Sequence, residues 1–279
     1  MYREQLRAFL KEDVGAGDVT TNTIVPSTQR AHGALLAKVP LVLAGIEIFV
    51  EVFRLLDPAA EAQISRHDGS ELQPGESPAR VKASAHALLT GERVALNLLQ
   101  RLSGVATLTR SFVRATEGTG VRILDTRKTT PGLRALEKYG VRVGGGYNHR
   151  TNLGKAILVK ENHIRLAGSV SAALAAAEIA RNRTGWIEIE VTNLDELHAA
   201  LGHSPDVILL DNMRPLMVRQ AVEQVRKHDP ERRIRTEASG GITLENVRQF
   251  VEAGVDWISI GALTHSVPAV DLSFEIEPE

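Results

Sequence analysis

A strand–helix rhythm in the second half of the chain most strongly constrains its fold. From Val121 onward, short apolar runs rich in β-branched residues alternate with longer amphipathic segments. The six runs are VRILD at 121–125, AILVK at 156–160, WIEIEV at 186–191, VILLD at 207–211, IRTEAS at 234–239 and WISIG at 257–261. Near-continuous apolar strands separated by helices are typical of a parallel sheet covered by helices. The pattern predicts an incomplete α/β barrel of six strands, with a doubly wound open sheet as the alternative.

The rest of the chain has a mixed pattern that predicts a separate α+β domain. The predicted helices cover 2–11, Ile46–Leu56 and Ala87 to about Thr116, and the predicted strands lie near 34–39, 62–66 and 79–85. We expect an N-terminal domain at 1–118 and a barrel domain at 119–266, with the tail at 267–279 as a candidate to rejoin the first domain. A complete eight-stranded barrel would need strands from the first domain or from GVRVGGG at 140–146.

Composition excludes several classes of protein. The chain has 279 residues, of which 43% are hydrophobic, so it can bury a substantial core. Its 33 basic and 34 acidic residues give a formal net charge of −1, which does not favour general nucleic-acid binding. Cysteine is absent, which excludes disulfides and thiolate chemistry. No apolar run reaches the roughly 20 residues of a membrane helix, and MYREQLRAFLKED lacks a signal-peptide core. We therefore expect a cytoplasmic protein that binds neither membranes nor nucleic acids.

Polar residues or glycines lie at the end of each predicted barrel strand or directly after it. They are Arg127, Lys128, Lys160, Glu190, Asp211, Asn212, Ser239, Gly240 and Gly261. In α/β barrels the carboxyl ends of the strands carry the chemistry, so this pattern predicts an active site at one mouth of the barrel. Glu188 and Glu190 share strand parity and face the same side. For Glu190 and Asp211, the alternative to a functional role is a salt bridge with a neighbouring strand-end lysine.

Two glycine-containing loops follow the last two strands, ASGG at 238–241 and IGA at 260–262. Loops at this place in a barrel commonly bind phosphate, because small residues expose backbone N–H groups to the anion. We expect Thr243 to cap the helix that follows the first of these loops.

Cations gather around two flexible turns, DTRKTTPGLR at 125–134 and GGGYNHR at 144–150. Glycine lets the backbone approach a ligand closely, so the cluster favours a pocket for a polyanion over a solvated basic loop. His163, within LVKENHI at 158–164, is expected either to orient this part of the site or to cap a helix.

Seven segments extend this picture: DTRKTTPGLR, GGGYNHR, LVKENHI, IEIEV, LLDNM, EASGGI and IGALTHS. In this order and spacing, and with LLTGERVALNLLQRLSGVATLT at 88–109, they resemble the quinolinate phosphoribosyltransferase family. The resemblance covers about residues 12–266. It implies an N-terminal α/β sandwich domain and a six-stranded incomplete α/β barrel that act as a dimer with shared active sites, or as a multiple of dimers.

The resemblance also implies the reaction, in which quinolinate and phosphoribosyl pyrophosphate give nicotinate mononucleotide, pyrophosphate and CO2 for NAD biosynthesis, with Mg²⁺ as cofactor. The implied ligands of the quinolinate carboxylates are Arg127, His149, Arg150, Lys160 and, from the second subunit, Arg93. The implied catalytic residues are Lys128, which contacts phosphoribosyl pyrophosphate, and Glu190 and Asp211, which hold the ribose hydroxyls and bind the metal directly or through water or substrate. The implied lining of the 5-phosphate end is Ser239, Gly240, Gly241, Gly261 and His265.

Three other functions stay open on the sequence alone. A molybdate-associated pyrophosphorylase-like paralogue shares much of this pattern. A Schiff-base aldolase would use Lys160 at its strand end as the covalent catalyst. A phosphate-ligand sensor would keep the pocket without turnover.

Overall fold

A computed structural model describes residues 2–181 and 186–279 of the chain. The chain divides into two compact units, one formed by residues up to Leu108 together with Val267–Glu279, and the other by Thr109–Ser266. The boundary lies within a long helix, Ala85–Ala115, ten residues before the expected position at 118.

Each helix and strand that the sequence predicts for the first domain has a counterpart in the structure. In chain order the elements of the first unit are α1 (Tyr2–Val14), α2 (Val19–Ile24), β1 (Arg30–Ala37), β2 (Leu41–Val42), α3 (Ile46–Leu56), β3 (Glu61–Ile64), β4 (Glu71–Leu72), β5 (Ala79–Ser84) and α4 (Ala85–Ala115), which continues into the second unit. Strand β1 buries every second residue, as a strand with one face on a core does. Asp18 caps α2 by accepting the N–H of Thr21.

The second unit is a parallel α/β structure. Its elements are β6 (Arg122–Leu124), α5 (Arg134–Val143), β7 (Ile157–Val159), α6 (Glu161–Ala167), α7 (Val170–Ile179), β8 (Ile187–Val191), α8 (Leu194–Leu201), β9 (Val207–Asp211), α9 (Pro215–His228), β10 (Arg235–Ser239), α10 (Val247–Glu252), β11 (Trp257–Ser259) and α11 (Ala262–His265). The sheet order is β6-β11-β10-β9-β8-β7, with every pairing parallel. Strands β6 and β7 stand at opposite edges, so the predicted six-stranded incomplete barrel is confirmed.

The C-terminal tail joins the first unit through β12 (Leu272–Pro278), which pairs antiparallel with β1. The resulting sheet has the order β12-β1-β5-β3. Phe274 packs against two rings of α3, with centroid distances of 5.3 Å to Phe49 and 5.2 Å to Phe53. A Cβ atom at Gly33 would overlap the Phe274 ring, so glycine is required where the two strands meet this core.

The segment GVRVGGG does not supply a seventh strand. Val141 and Val143 belong to α5, and the glycines that follow form a turn, with Gly145 at φ +94°. Gly146 is tightly enclosed, since a Cβ atom there would lie 2.8 Å from Thr109 and 2.9 Å from Val141. Only a single parallel bridge, from Tyr147 to Leu124, continues the sheet at this edge of the described structure.

None of the helices within the described ranges combines the length and apolar character needed to cross a membrane.

Candidate active site

A cavity of about 370 Å³ opens at the carboxyl ends of the barrel strands. Its lining comes entirely from the second unit and combines cations, carboxylates and two leucines. The lining residues are Thr126, Arg127, Lys128, His149, Arg150, Leu158, Lys160, Glu190, Leu209, Asp211, Asn212, Glu237, Ser239, Gly240 and Ser259. The predicted active site at this mouth of the barrel therefore coincides with a cavity.

Strand register explains why these side chains meet. Asp211 on β9 lies opposite Ser239 on β10, and Ser239 lies opposite Ser259 on β11. Two residues earlier on the central strands, Leu209 lies opposite both Glu190 and Glu237. Because side chains alternate along a strand, both rows point to the same side of the sheet. The cavity therefore has an outer row of polar groups and a deeper row in which glutamates flank a leucine.

Lys160 and Glu190 form a short ion pair across neighbouring strand ends. The Lys160 side chain is 45% exposed and that of Glu190 is 14% exposed. Burial raises the pKa of Glu190, while Lys160 lowers it and the nearby carboxylates of Asp211 and Glu188 raise it further. The salt bridge that the sequence offered as the alternative for Glu190 is thus present, within the cavity wall.

Lys160 is also the residue that precedes α6, and its N–H donates to Nδ1 of His163 at 2.9 Å. His163 therefore caps this helix.

Asp211 has a different environment. Its carboxylate accepts a hydrogen bond from the side-chain amide of Asn212 at 3.0 Å. Asn212 has a positive φ of 53° and donates its N–H to the carbonyl of Ser239 at 2.9 Å. Gly240 packs against Asn212 so closely that a Cβ atom would overlap the Asn212 amide. The ends of β9 and β10 are therefore held together by a glycine with φ +96° and an asparagine in the left-handed region.

The loop after β6 carries Arg127 and Lys128. The carbonyl of Lys128 accepts the Thr264 hydroxyl at 2.7 Å. The Lys128 side chain passes next to Gly261, where a Cβ atom would lie 3.1 Å from its Cδ and 2.9 Å from Nε2 of His265. Glycine at 261 therefore leaves room for Lys128 and His265 side by side.

A buried ion pair anchors the segment at 148–150. Lys138 and Asp125 are 2% and 0% exposed and are directly bonded to each other. Asp125 also accepts the N–H of His149 at 2.9 Å and the Asn148 amide at 2.6 Å, and Lys138 donates to the carbonyl of His149 at 3.1 Å. The sequence placed Asp125 in the basic cluster, and its structural partner is Lys138 on α5.

His149 is buried, and both ring nitrogens have protein partners. Nδ1 accepts the N–H of Arg150 at 2.8 Å, so the ring proton lies on Nε2 and is donated to Glu188 at 3.0 Å. Glu188 is fully buried and also accepts the indole N–H of Trp186 at 3.2 Å. In this geometry His149 touches the cavity through its ring, while its hydrogen bonds fix Arg150.

Arg150 is 7% exposed and donates to the carbonyl of Ala156 at 2.9 Å. Burial and the neighbouring Arg127 guanidinium lower the pKa of Arg150. The Nε atoms of both arginines are buried without a recorded partner. Because the two guanidinium groups are close enough to repel each other, an anion that accepts hydrogen bonds from both would stabilise them.

Glu237 lies in the deeper row and is fully buried. Neither of its carboxyl oxygens has a hydrogen-bond partner, and the hydroxyl of Ser259 is likewise unpaired. Burial and the nearby Glu188 raise the pKa of Glu237 to about 8, so this group is a neutral acid at pH 7. Glu237, His149 and Glu188 form a buried cluster. One carboxylate oxygen of each glutamate and one ring nitrogen of His149 lie within 4.8 Å of one another.

Four residues that the sequence placed in the site lie outside this cavity lining: Arg93, Gly241, Gly261 and His265. Gly261 and His265 adjoin the cavity through Lys128, as described above. Gly241 follows the lining residue Gly240 with φ +60°. Arg93 belongs to α4 in the first unit, where its side chain is 59% exposed and lies 3.7 Å from Glu92.

Thr243 is not the cap of α10, which begins at Val247 after Asn246. Thr243 instead donates its N–H to the Asn246 side chain at 2.8 Å, which adds a turn before the helix.

The sequence pattern predicted no role in the site for five of the lining residues, Thr126, Leu158, Leu209, Glu237 and Ser259. Strand parity could have found Glu237, because it precedes Ser239 by two residues, as Glu188 precedes Glu190. Leu158 and Leu209 carry no such signal, since an apolar strand residue usually belongs to a core.

Comparison with known proteins is consistent along the whole chain. The family model described as quinolinate phosphoribosyl transferase, N-terminal domain, matches residues 18–103, and the model for the C-terminal domain matches 105–275. The chain belongs to the quinolinate phosphoribosyltransferase family.

Among relatives in this family, the chain is 44% identical over 274 residues to a probable nicotinate-nucleotide pyrophosphorylase [carboxylating] of Bacillus subtilis, covering 98% of this chain and 93% of that protein. It is 41% identical to the nicotinate-nucleotide pyrophosphorylase [carboxylating] of Mycobacterium leprae, covering 98% and 96%. The crystal structure of NadC from Streptococcus pyogenes superposes with a TM-score of 0.93 at 40% identity, covering 100% of this chain and 97% of that chain. Both domains of the quinolinate phosphoribosyltransferase family are therefore present in this chain.

Proposed function

We propose that this protein transfers ribose 5-phosphate from phosphoribosyl pyrophosphate to the ring nitrogen of quinolinate, releasing pyrophosphate and CO2 and giving nicotinate mononucleotide for NAD biosynthesis. The observation that carries the proposal is the cavity, in which Arg127, Lys128, Arg150 and Lys160 surround the carboxylates of Glu190 and Asp211. Cations of this number suit two polyanionic substrates. Family membership supports the same reaction.

Each substrate has a suitable part of the cavity. Arg127 and Arg150 are proposed to bind the quinolinate carboxylates, because guanidinium groups donate paired hydrogen bonds to carboxylates. Lys160 completes this group at the end of β7, and His149 supports it by fixing Arg150. The proposed phosphate end comprises Ser239, Gly240, Gly241, Gly261 and His265, with Lys128 contacting phosphoribosyl pyrophosphate. The leucines Leu158 and Leu209 provide apolar surface for a flat ring.

The carboxylates of Glu190 and Asp211 are proposed to act on the ribose. As the bond from C1 to pyrophosphate breaks, positive charge grows on the ribose, and Glu190 and Asp211 can stabilise it electrostatically. Once the ring nitrogen carries ribose it is cationic, and its positive charge stabilises the electron pair that the departing 2-carboxylate leaves on the neighbouring ring carbon. Decarboxylation therefore follows glycosyl transfer, without a protein nucleophile.

Magnesium is the proposed cofactor. The oxygen donors of Asp211, Glu190 and the Asn212 side chain form a hard ligand set of the kind that Mg²⁺ prefers, directly or through water and substrate. When bound, the ion would neutralise charge on the pyrophosphate leaving group.

The proposed assembly is a dimer, or a multiple of dimers, in which Arg93 of one subunit completes the quinolinate site of the other. Exposed apolar side chains near the barrel mouth support burial of this region by a second subunit. Leu216 in the first turn of α9 is 71% exposed, and Leu244 after β10 is 39% exposed. We propose a cytoplasmic location for this enzyme.

The aldolase alternative receives no support from the surroundings of Lys160. A Schiff-base lysine is activated in an apolar pocket or beside another cation. Lys160 is instead half exposed and bonded to the Glu190 carboxylate. No observation favours the molybdate-associated paralogue or a sensor over the phosphoribosyltransferase.

Incubation of the protein with quinolinate, phosphoribosyl pyrophosphate and Mg²⁺ tests the proposal. Nicotinate mononucleotide and pyrophosphate should form in equal amounts, and replacing quinolinate by nicotinate should reduce kcat/KM by about 100-fold or more, because cations for one carboxylate are then unpaired. Asp211→Ala, which removes a strand-end carboxylate but no core contact, should abolish most of the turnover. Comparable turnover of nicotinate, or no product from quinolinate, would refute the assignment.

A further inference from the structure

The proposed reaction, on which this inference rests, contains a step that needs a proton. When the 2-carboxylate leaves as CO2, its bonding electron pair stays on the ring carbon next to the cationic nitrogen. The product carries hydrogen on that carbon. An acid must therefore protonate the carbon, and until it does, the carbon can recapture CO2.

Most donors in the cavity are poorly suited to this transfer. Arginine does not lose its proton in proteins, which excludes Arg127 and Arg150. The proton on Nε2 of His149 is donated to Glu188, and Lys160 is bonded to Glu190. Lys128 lies on the exposed loop after β6.

Glu237 differs from all of these. It lines the cavity, it is fully buried, and neither carboxyl oxygen has a hydrogen-bond partner. A buried polar group without a partner is costly, and in an active site it marks a group whose partner is the ligand.

The groups that face Glu237 keep it protonated. Glu188 and Glu190 on β8 contribute negative charge, His149 Nε2 lies 3.9 Å away with its proton directed to Glu188, and the Ser259 hydroxyl approaches from β11. Burial and Glu188 together raise the pKa of Glu237 to about 8, while the nearby His149 opposes this shift. The acid form is therefore present at pH 7 and is lost as the pH rises through 8.

We propose that the Glu237 carboxyl group is the acid that protonates the ring carbon from which CO2 departs. The O–H bond of Glu237 breaks, its proton forms the new C–H bond with the electron pair left on carbon, and Glu237 becomes a carboxylate. Solvent returns a proton to Glu237 after the product leaves. Leu158 and Leu209, which line the same cavity, limit the access of water as a competing donor.

Single-turnover rapid quench tests this role with the Glu237→Gln variant, which keeps the size of the side chain but has no acidic proton. Quinolinate labelled in the 2-carboxylate, phosphoribosyl pyrophosphate and Mg²⁺ are mixed with excess enzyme, and pyrophosphate, labelled CO2 and nucleotides are followed. Pyrophosphate release should stay within about 3-fold of the wild type, while formation of nicotinate mononucleotide slows by about 100-fold or more. The N-ribosyl quinolinate intermediate should accumulate. The matched control is Glu51→Gln, a buried glutamate of α3 in the first unit that pairs with Arg3, and it should behave as the wild type.

The outcomes separate this inference from the proposed function. If the wild type makes no nicotinate mononucleotide, the proposed function is wrong. If the wild type makes it and Glu237→Gln makes it equally fast, or loses pyrophosphate release to the same extent, Glu237 is not the acid.

Two further measurements decide the case in which Glu237→Gln does not fold. Glu237→Asp retains a carboxylic acid and should recover decarboxylation partly, with no accumulation of intermediate beyond a few-fold above wild type. In the wild type, the rate of CO2 release in a single turnover should fall above pH 8 while pyrophosphate release does not. A pH-independent ratio of the two rates would overturn the proposal.

Discussion

At the scale of single residues, buried charge is placed where it fixes the substrate-facing groups. Lys138 and Asp125 neutralise each other and together bind both backbone groups of His149. His149 in turn fixes the backbone of Arg150. The loop that carries Arg150 into the cavity wall is thus held in place by an ion pair that lies outside the cavity lining.

We expect Lys138→Met to destabilise the second unit by about 3–5 kcal/mol, because the Asp125 carboxylate would stay buried without its cation. Urea unfolding followed by tryptophan fluorescence is the measurement, since Trp186 and Trp257, the two tryptophans of the chain, both lie in this unit. Lys227→Met, at an exposed position of α9, is the control. Equal stability of the two variants would show that the ion pair contributes nothing.

Asp256 provides a test that depends on pH. Burial raises its pKa, but the Thr236 N–H at 2.8 Å and the Arg226 guanidinium outweigh burial and hold the pKa below its usual value. A lowered folded-state pKa means that the carboxylate stabilises the fold above about pH 4 and loses this effect as the pH falls further.

Asp256→Asn should therefore cost about 1.5–3 kcal/mol at pH 7, and the difference from the wild type should shrink at pH 3. The same fluorescence-detected urea unfolding at both pH values measures it, with Glu223→Gln on the exposed face of α9 as control. A difference that is the same at both pH values would contradict the assigned hydrogen bonds.

At the scale of elements, the ends of β9 and β10 illustrate what a sequence does and does not predict. The strands themselves, their parallel direction and the polar residues Asp211 and Ser239 at their ends follow from the apolar runs and the residues after them. The left-handed conformation of Asn212 does not, because it depends on the close approach of Gly240 from the next strand. Local pattern therefore located the site, whereas contacts between loops distant in sequence determined its shape.

The same limit applies at α5, where no strand or helix was predicted, and at the start of α10, where the predicted cap was wrong. The residues Val141 and Val143 alternate as in a strand, yet they lie in a helix because Glu137, Lys138 and Val141 share its buried face. Thr243 has the chemistry of a cap, but Asn246 forms the turn before the helix. The ion pair of Lys160 with Glu190 joins two residues 30 positions apart, so only the parallel register makes them neighbours.

Gly240→Ala tests the contact between these strand ends. Its φ of +96° strains alanine, and its Cβ atom would displace Asn212 at the cavity wall. Gly118→Ala is matched to it, since Gly118 has φ +78° but open space around its Cβ position. Both variants should lose about 1–2 kcal/mol of stability, but only Gly240→Ala should lose kcat/KM, on the order of 100-fold. Equal kcat/KM in the two variants would mean that Asn212 does not shape the site.

At the scale of the whole molecule, the proposed dimer would give the first unit a role in function. Arg93 lies on α4 in the unit that has no residue in the cavity lining. The family resemblance assigns Arg93 to the quinolinate site of the second subunit. In a two-fold dimer such a contact occurs twice, so each site draws Arg93 from one chain and Lys128 from the other.

This arrangement predicts complementation between two inactive variants. Arg93→Ala and Lys128→Ala should each lose nearly all activity as homodimers. A heterodimer of the two has one site with both defects and one site with neither, so it should recover about half of the wild-type activity per dimer. Co-expression with two different affinity tags isolates the heterodimer. The control is the doubly substituted chain paired with a wild-type chain, in which each site carries one of the two defects. That control should stay inactive, because its two sites lack either Arg93 or Lys128. Inactive heterodimers of the single variants would place Arg93 in the site of its own chain or outside catalysis, and the shared site would have to be abandoned.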